Sequence, residues 1–209
     1  MDTEDVRLAV YRSFAATGRP PAPGSLDDAA LRELHEQRHV VLAADGRIVM
    51  AHPFTAVPLG FSVMGRETLR WGGCAWDSFA LPHLLREEPD VLVATRCPGC
   101  DAALAWVVGR DAPPPGHEVA HFLIPAAHIW DDVVRSCGNQ RLFCGEGCVD
   151  AWLARTRHER GYVMDLATLW RLARGWYDGR LERGYRRREP SEAQDYFRSV
   201  GLSGPFWGL

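Results

Sequence analysis

The chain has 209 residues, of which 46% are hydrophobic and 24% charged, and its formal net charge at pH 7 is −3. These values are typical of a soluble globular protein of one or two domains. The small negative charge gives no general attraction to nucleic acid or to an anionic membrane surface, so neither is an expected partner. The sequence contains no apolar run of the roughly 18 residues that a membrane helix needs, and no secretory signal is visible. We therefore expect a cytoplasmic protein, in which six cysteines serve metal binding or catalysis rather than disulfides.

The first 56 residues predict two helices followed by a hairpin. Apolar residues at helical spacing predict a helix over 3–18, and Ser25 or Asp27 can cap a second helix. Alternation about Asp45-Gly46 predicts a hairpin. This order describes a small winged-helix-like unit over residues 1–56. Its eight acidic residues against six arginines disfavour phosphate binding, so a structural or dimerising role, with a homodimer as an option, is expected.

Residues 57–170 predict a mixed domain of short, mostly antiparallel strands with flanking helices, and the fold class is therefore α+β. Strands are expected on either side of Gly65-Arg66 and of the segment CPGC. A helix is expected over "CAWDSFALPHLL", interrupted or kinked near Pro82, and another over "AAHIWDDVVRSC". Residues 171–209 form an aromatic, Arg-rich extension that we expect to pack on this domain.

Four cysteines fall into two close pairs. The segments "CPGC" and "FCGEGC" each place two thiols near a turn, and together they supply Cys97, Cys100, Cys144 and Cys148. Tetrahedral zinc takes four thiolates in a closed structural site, so we expect structural zinc here. Buried free thiols or a redox pair remain the alternatives.

The two remaining cysteines lie near a carboxyl. Cys74 precedes Asp77 by three residues at the start of an apolar segment, where Ser78 is also a plausible helix cap. A thiol at a helix N-terminus has a lowered pKa, and a carboxyl one turn away can move a proton. If the fold brings Cys137 to this pair, two thiolates and one carboxylate suit a soft, thiophilic centre. Taken singly, each cysteine is more often a small core residue.

These residues also carry a family resemblance. The segment "CAWDSFALPHLL" resembles the part of alkylmercury (organomercurial) lyases that holds the first active-site cysteine and the active-site aspartate, and "SCGNQRLFC" resembles the part with the second active-site cysteine. The resemblance covers roughly residues 3 to 170. It implies that Cys74, Asp77 and Cys137 are catalytic, that Cys74 and Cys137 bind mercury, and that Cys97 is structural.

The resemblance implies protonolysis of a carbon–mercury bond. The two cysteines would hold the metal while Asp77, with a pKa raised by burial, relays a proton to the leaving carbon. Apolar side chains, among them Trp71, Trp76 and Phe79, would line the site for the organic group. Low-molecular-weight thiols would then remove mercury(II), and no organic cofactor is expected.

Three features depart from the family pattern. Better known members carry a second cysteine at the position of Gly138; the thiols of Cys100, Cys144 and Cys148 are additional; and the tail past about residue 170 is foreign. These departures leave room for a lyase-fold relative that acts on another thiophilic or electrophilic substrate. A second alternative is a non-enzymatic, zinc-stabilised winged-helix protein, for which the arginines of "RLERGYRRRE" offer some support. The eight histidines show no ligand spacing and receive no role.

Overall fold

A computed structural model describes residues 2–209 and shows an α+β fold with two sheets. Within these residues the α-helices are α1 Thr3–Thr17, α2 Asp28–Glu36, α3 Ala75–Leu84, α4 Val133–Gly138, α5 Glu146–Thr156, α6 Leu166–Arg174 and α7 Pro190–Ser199. The strands are β1 Val41–Leu42, β2 Ile48–Ala51, β3 Phe54–Thr55, β4 Phe61–Met64, β5 Leu69–Gly72, β6 Asp90–Arg96, β7 Ala103–Gly109, β8 Val119–Phe122, β9 Gln140–Phe143 and β10 Tyr162–Asp165.

The larger sheet has seven strands in the order β1-β2-β3-β5-β4-β6-β7, and every neighbouring pair is antiparallel. The expected strands about Gly65-Arg66 are β4 and β5, and those about CPGC are β6 and β7. The smaller sheet, β10-β8-β9, is also antiparallel. The α+β class with mostly antiparallel strands is therefore confirmed.

Both N-terminal helices begin at an aspartate cap, and the cap of α2, Asp27, is one of the two residues expected there. The Asp2 carboxylate accepts from the Asp5 N–H at 2.6 Å, and the Asp27 carboxylate accepts from the Ala30 N–H at 2.8 Å. The hairpin β1–β2 follows, and β2 pairs with β3, so the hairpin belongs to the larger sheet. The domain boundaries at residues 56 and 170 and the winged-helix-like description stay predictions.

Helix α3 lies at the centre of the molecule. It packs against α6 and against β4, β5, β6 and β7, and all its residues except His83 are buried. The helix is not interrupted at Pro82: it continues to Leu84, and the Leu85 N–H donates to the Leu81 carbonyl at 2.9 Å.

The segment before Cys137 differs from the single helix that we expected. A short 3-10 turn at Ala126–His128 is followed by α4, which begins only at Val133. The Asp132 carboxylate accepts from the Arg135 N–H at 3.0 Å and so caps α4. Aspartate is favoured at a helix N-cap, where its side chain accepts from a free backbone N–H, and is disfavoured inside a helix. Asp132 therefore starts a new helix here.

The C-terminal extension covers α3 with aromatic rings. Trp76 of α3 lies 4.8 Å from Trp176, between ring centroids, and Phe197 of α7 lies 5.3 Å from Trp176 and 4.9 Å from Trp207. Arg7 of α1 donates to the Arg180 carbonyl at 2.7 Å, which attaches the start of the extension to the N-terminal helix. Among the helices of residues 2–209, none combines the length and apolar character needed to cross a membrane.

Candidate functional site

Helix α3 begins at Cys74, whose thiol is the helix cap. The Asp77 N–H donates to Cys74 Sγ at 3.4 Å, and the Ser78 hydroxyl donates to the Cys74 carbonyl at 2.6 Å. Ser78 therefore lies inside the first turn, and the expectation that it caps the helix is wrong. The turn before the helix is tight, since a Cβ on Gly73 would lie only 2.2 Å from Asp77 Oδ2. A glycine at this position lets the strand β5 lead directly into the helix.

The structure brings Cys137 to Cys74 and Asp77. Cys137 Sγ donates a long hydrogen bond to Asp77 Oδ2 at 4.0 Å, and Cys74 lies near enough for Cys137 and Asp77 both to shift the pKa of its thiol. All three side chains are buried, with between 1% and 3% of their surface exposed. Two thiols and a carboxyl thus meet in one water-excluded group. Their catalytic roles stay predictions.

His52 is a fourth member of this group. It lies between β2 and β3, and its Nε2 is 3.4 Å from Cys137 Sγ. The ligand atoms of His52, Asp77 and Cys137 lie within 4.8 Å of one another, so these residues could hold a metal ion. The histidine is buried and its ring packs edge-on against Trp130.

The C-terminal extension supplies two further residues. The Tyr177 hydroxyl donates a hydrogen bond to Asp77 Oδ1. The Arg180 guanidinium lies 4.8 Å from the centroid of the Tyr177 ring and donates to the His52 carbonyl at 2.7 Å. Both side chains are buried, so the extension contacts the site itself as well as its aromatic surroundings.

Burial governs the protonation of the site. It raises the pKa of Asp77 to about 7, although hydrogen bonds from Tyr177 and Cys74 act in the opposite direction. The direction of this shift is the one expected for Asp77. Burial lowers the pKa of His52 to about 3, which leaves a neutral imidazole at pH 7.

The thiols carry their protons. Burial raises the pKa of Cys74 well above its ordinary value, so the lowered pKa expected at a helix N-terminus is wrong here. The hydrogen bond from Cys74 lowers the pKa of Cys137, but burial and the charge of Asp77 outweigh it and the net change is upward. Both cysteines therefore hold a proton that a reaction can use.

The three aromatic residues expected to line the site lie in different surroundings. Trp76 belongs to the aromatic cluster beneath the extension, next to Asp77 in sequence. Phe79 is fully buried and packs on Trp106 of the larger sheet. Trp71 lines a cleft of about 1230 Å³ between the α1–α2 connection and the hairpin, and no cysteine lines that cleft. Their roles in substrate binding stay predictions.

The other four cysteines form a second group. The sulfur atoms of Cys97, Cys100, Cys144 and Cys148 lie within 4.8 Å of one another and could hold a metal ion. The Cys144 N–H donates to Cys97 Sγ at 3.4 Å. A Cβ on Gly99 would lie 2.4 Å from the Cys148 carbonyl, so the CPGC turn reaches the start of α5 only because this residue is glycine.

Comparison with known proteins identifies the family of this chain. A family model described as "MerB: Alkylmercury lyase" matches residues 54–178, which is more than half of the chain. The chain belongs to the alkylmercury lyase family. The matched segment contains Cys74, Asp77, Cys137 and Tyr177, whereas His52 and Arg180 lie outside it.

A solved member of similar fold is described as "Crystal structure of the mercury-bound form of MerB2". The TM-score is 0.61 at 15% sequence identity, and the alignment covers 82% of this chain and 87% of that one. At this identity the likeness shows that the two chains share a fold. Among curated proteins, none matches the sequence significantly.

The sequence reasoning missed His52, Tyr177 and Arg180. His52 is 85 residues from Cys137, and Tyr177 is 100 residues from Asp77, so no local spacing connects them. The one available signal is the density of Tyr, Trp and Arg in the extension of this alkylmercury lyase, which predicts packing but not contact with the site.

Proposed function

We propose that this alkylmercury lyase cleaves a carbon–mercury bond by protonolysis, with Cys74 and Cys137 as mercury ligands and Asp77 as the proton relay. One observation carries the proposal. In a chain of this family, Asp77 contacts both Cys74, through its N–H at 3.4 Å, and Cys137, through Oδ2 at 4.0 Å, and all three side chains are buried.

The protons of the two thiols balance the reaction. An organomercurial R–Hg–SR′, the thiol adduct of the substrate, reacts with both cysteines to give R–H, R′SH and mercury(II) bound by two cysteine sulfurs. Two S–H bonds, one Hg–C bond and one Hg–S bond break, and two Hg–S bonds, one C–H bond and one S–H bond form. One thiol proton leaves with R′SH. Asp77, in its carboxylate form, accepts the other thiol proton and delivers it to the carbon.

The surroundings of the site suit this chemistry. Mercury(II) is soft and prefers thiolate to oxygen or nitrogen ligands, so it selects Cys74 and Cys137 over the His52 imidazole. Exclusion of water keeps other proton donors away from the carbon, which gains negative charge as the bond breaks, so that the proton comes from Asp77. Low-molecular-weight thiols would carry the mercury in and out, in keeping with the expected partners.

Turnover of phenylmercury to benzene in the presence of excess thiol tests the proposal. The variants are Cys74→Ser, Cys137→Ser and Asp77→Asn, with Asp178→Asn as the control, because Asp178 is exposed and next to Tyr177 in sequence. We expect each site variant to lose at least about 100-fold in kcat, within the usual range for a group that transfers a proton, and the control to match wild type. Full activity of Asp77→Asn would contradict the relay.

An alternative keeps the fold and the thiol pair but changes the substrate. Gly138 stands where better known members have a cysteine, and a Cβ there would meet no atom within 4 Å, so the position is open. Wild-type protein that binds phenylmercury tightly and releases no benzene would favour another thiophilic or electrophilic substrate.

We further propose that the four-cysteine group holds structural zinc. Four thiolates around Zn²⁺ leave a net negative charge, and the half-buried Arg141 lies near enough to Cys97 for the two charges to interact. Arg155 donates to the Gly99 carbonyl at 3.4 Å and holds the CPGC turn. We expect one zinc per chain by elemental analysis of wild type and none in the Cys97→Ser/Cys148→Ser double variant. Wild type isolated without zinc under reducing conditions would contradict this.

The cytoplasmic location, the winged-helix-like character of residues 1–56 and the homodimer also stay predictions.

A further inference from the structure

The two carboxyl oxygens of Asp77 have different partners. Oδ1 accepts the hydrogen bond from Tyr177, whereas Oδ2 faces Cys137 Sγ at 4.0 Å. Oδ2 also lies against Gly73, where a Cβ would be only 2.2 Å away. Because one oxygen is held by a hydroxyl, the other is turned to the thiol that would carry mercury.

Tyr177 is itself held in place by a buried cation. The Arg180 guanidinium lies 4.8 Å from the Tyr177 ring centroid and donates to Tyr185 Oη at 2.9 Å. Its backbone carbonyl accepts from Arg7 at 2.7 Å. A cation over a tyrosine ring attracts the ring electrons and restrains the ring's orientation. Arg180 therefore holds the Tyr177 ring in place, and with it the hydroxyl that donates to Asp77.

We propose that Tyr177 is a positioning residue for proton transfer: it fixes the rotation of the Asp77 carboxyl so that Oδ2 faces Cys137 and the carbon–mercury bond. The proposal rests on the lyase function proposed above. It also gives the C-terminal extension a part in the reaction, in addition to its packing on α3.

Loss of the hydroxyl acts on proton transfer and leaves mercury binding intact. Without the Tyr177 hydrogen bond, the carboxyl of Asp77 can rotate, and fewer of its orientations lie in line for transfer. Misplacement of a reacting group by about 1 Å can cost on the order of 100-fold in rate. The thiols of Cys74 and Cys137 do not depend on the hydroxyl, so the affinity for the mercurial is retained.

Tyr177→Phe tests the proposal because it removes one oxygen and keeps the ring under Arg180. Tyr196→Phe is the matched control: Tyr196 lies in the same extension, and its hydroxyl donates to the Leu172 carbonyl at 2.8 Å, away from the site. We expect Tyr177→Phe to lower kcat for phenylmercury about 10- to 100-fold, with KM unchanged within a factor of two. Equal kcat values for the two variants, or a loss confined to KM, would overturn the proposal.

A second readout does not depend on turnover. The infrared band of the Asp77 carboxyl, identified by its loss in Asp77→Asn, reports the pH at which this group ionises. Because the Tyr177 hydroxyl stabilises the carboxylate, its removal should move this ionisation to higher pH, and Tyr196→Phe should not. An unchanged ionisation in Tyr177→Phe would overturn the proposal. If wild type releases no benzene, the lyase function fails, while the infrared result still decides whether Tyr177 holds Asp77.

Discussion

Burial of Asp77 raises the free energy of its carboxylate, whereas hydrogen bonds from Tyr177 and Cys74 lower it. The outcome is a pKa of about 7, well above the 3.8 of an exposed aspartate. A carboxyl that gains and loses a proton near neutral pH suits a relay between a thiol and a carbon. The thiols, by contrast, stay protonated because burial raises the pKa of both.

The rate should follow the ionisation of Asp77. As a carboxylate it accepts a thiol proton, and as a carboxylic acid it cannot, so kcat should fall as the pH drops below about 7. A pH series of benzene release from phenylmercury at saturating substrate measures this. A rate independent of pH between 5 and 8 would contradict the assigned role.

The same shift predicts an effect on stability. The pKa of Asp77 is raised in the folded state, so its stabilising effect is complete below 3.8 and is lost as the pH rises through about 7. Asp77→Asn has no group to ionise at this position, so its stability does not fall in this way as the pH rises. The difference in unfolding free energy, variant minus wild type, should therefore increase between pH 5 and pH 8, by at most about 3 kcal/mol. Urea unfolding at both pH values checks this, and a difference that shrinks with pH would count against a buried carboxylate.

Gly73 offers a test of how tightly the carboxyl is enclosed. A Cβ at this position would lie 2.2 Å from Asp77 Oδ2 and 2.9 Å from the Met50 methyl group, whereas a Cβ on Gly138 would meet no atom within 4 Å. We expect Gly73→Ala to lower kcat at least about 10-fold by displacing the carboxyl, and Gly138→Ala to leave it unchanged. Comparable activity of the two variants would show that Oδ2 is free to move.

At the scale of elements, the sequence predicted what local patterns determine. Helix α1 ends at Thr17 with Gly18 in the left-handed conformation, as a terminal glycine indicates. The hairpin about Asp45-Gly46 and the strands on either side of CPGC follow alternation and turn residues. The break before α4 was missed because Asp132 competes as a cap, and β10 was missed because its partner β8 is distant in sequence.

The site residues also separate into those that local sequence patterns predict and those that only the tertiary fold brings together. Cys74 and Asp77 lie one helical turn apart, so their contact could be predicted from spacing. Cys137 was assigned through the family resemblance and not through spacing. His52 and Tyr177 reach the site only through tertiary packing, 85 and 100 residues from their partners. No local rule connects residues at such separations.

The last turn of the chain should stabilise the aromatic cluster over α3. Trp207 is 1% exposed, and its ring lies 4.9 Å from Phe197 and 6.3 Å from Trp76, between centroids. Trp207→Ala should cost about 3–5 kcal/mol of unfolding free energy because it opens a cavity. Val107→Ala, at a side chain that is 64% exposed, is the control and should cost less than about 1 kcal/mol. Denaturant unfolding compares the two, and equal costs would contradict the packing role.

At the scale of the whole molecule, separate parts of the chain converge on one buried group. The larger sheet leads into Cys74 and Asp77 through β5, and the connection between β2 and β3 supplies His52. Helix α4, which lies between β8 and β9 of the smaller sheet, supplies Cys137, and the C-terminal extension supplies Tyr177. The four-cysteine group joins the β6–β7 turn to the start of α5 and so ties the two sheets together. The site therefore depends on the complete fold rather than on any single segment.

The most direct test of protonolysis is the mass of the benzene that wild-type enzyme releases from phenylmercury in D₂O with excess thiol. The thiols and the Asp77 carboxyl exchange their protons with solvent, so the account predicts benzene that carries one deuterium, formed at a rate that Asp77→Asn does not reach. Benzene without deuterium, or mercury bound by the protein with no benzene released, would contradict it.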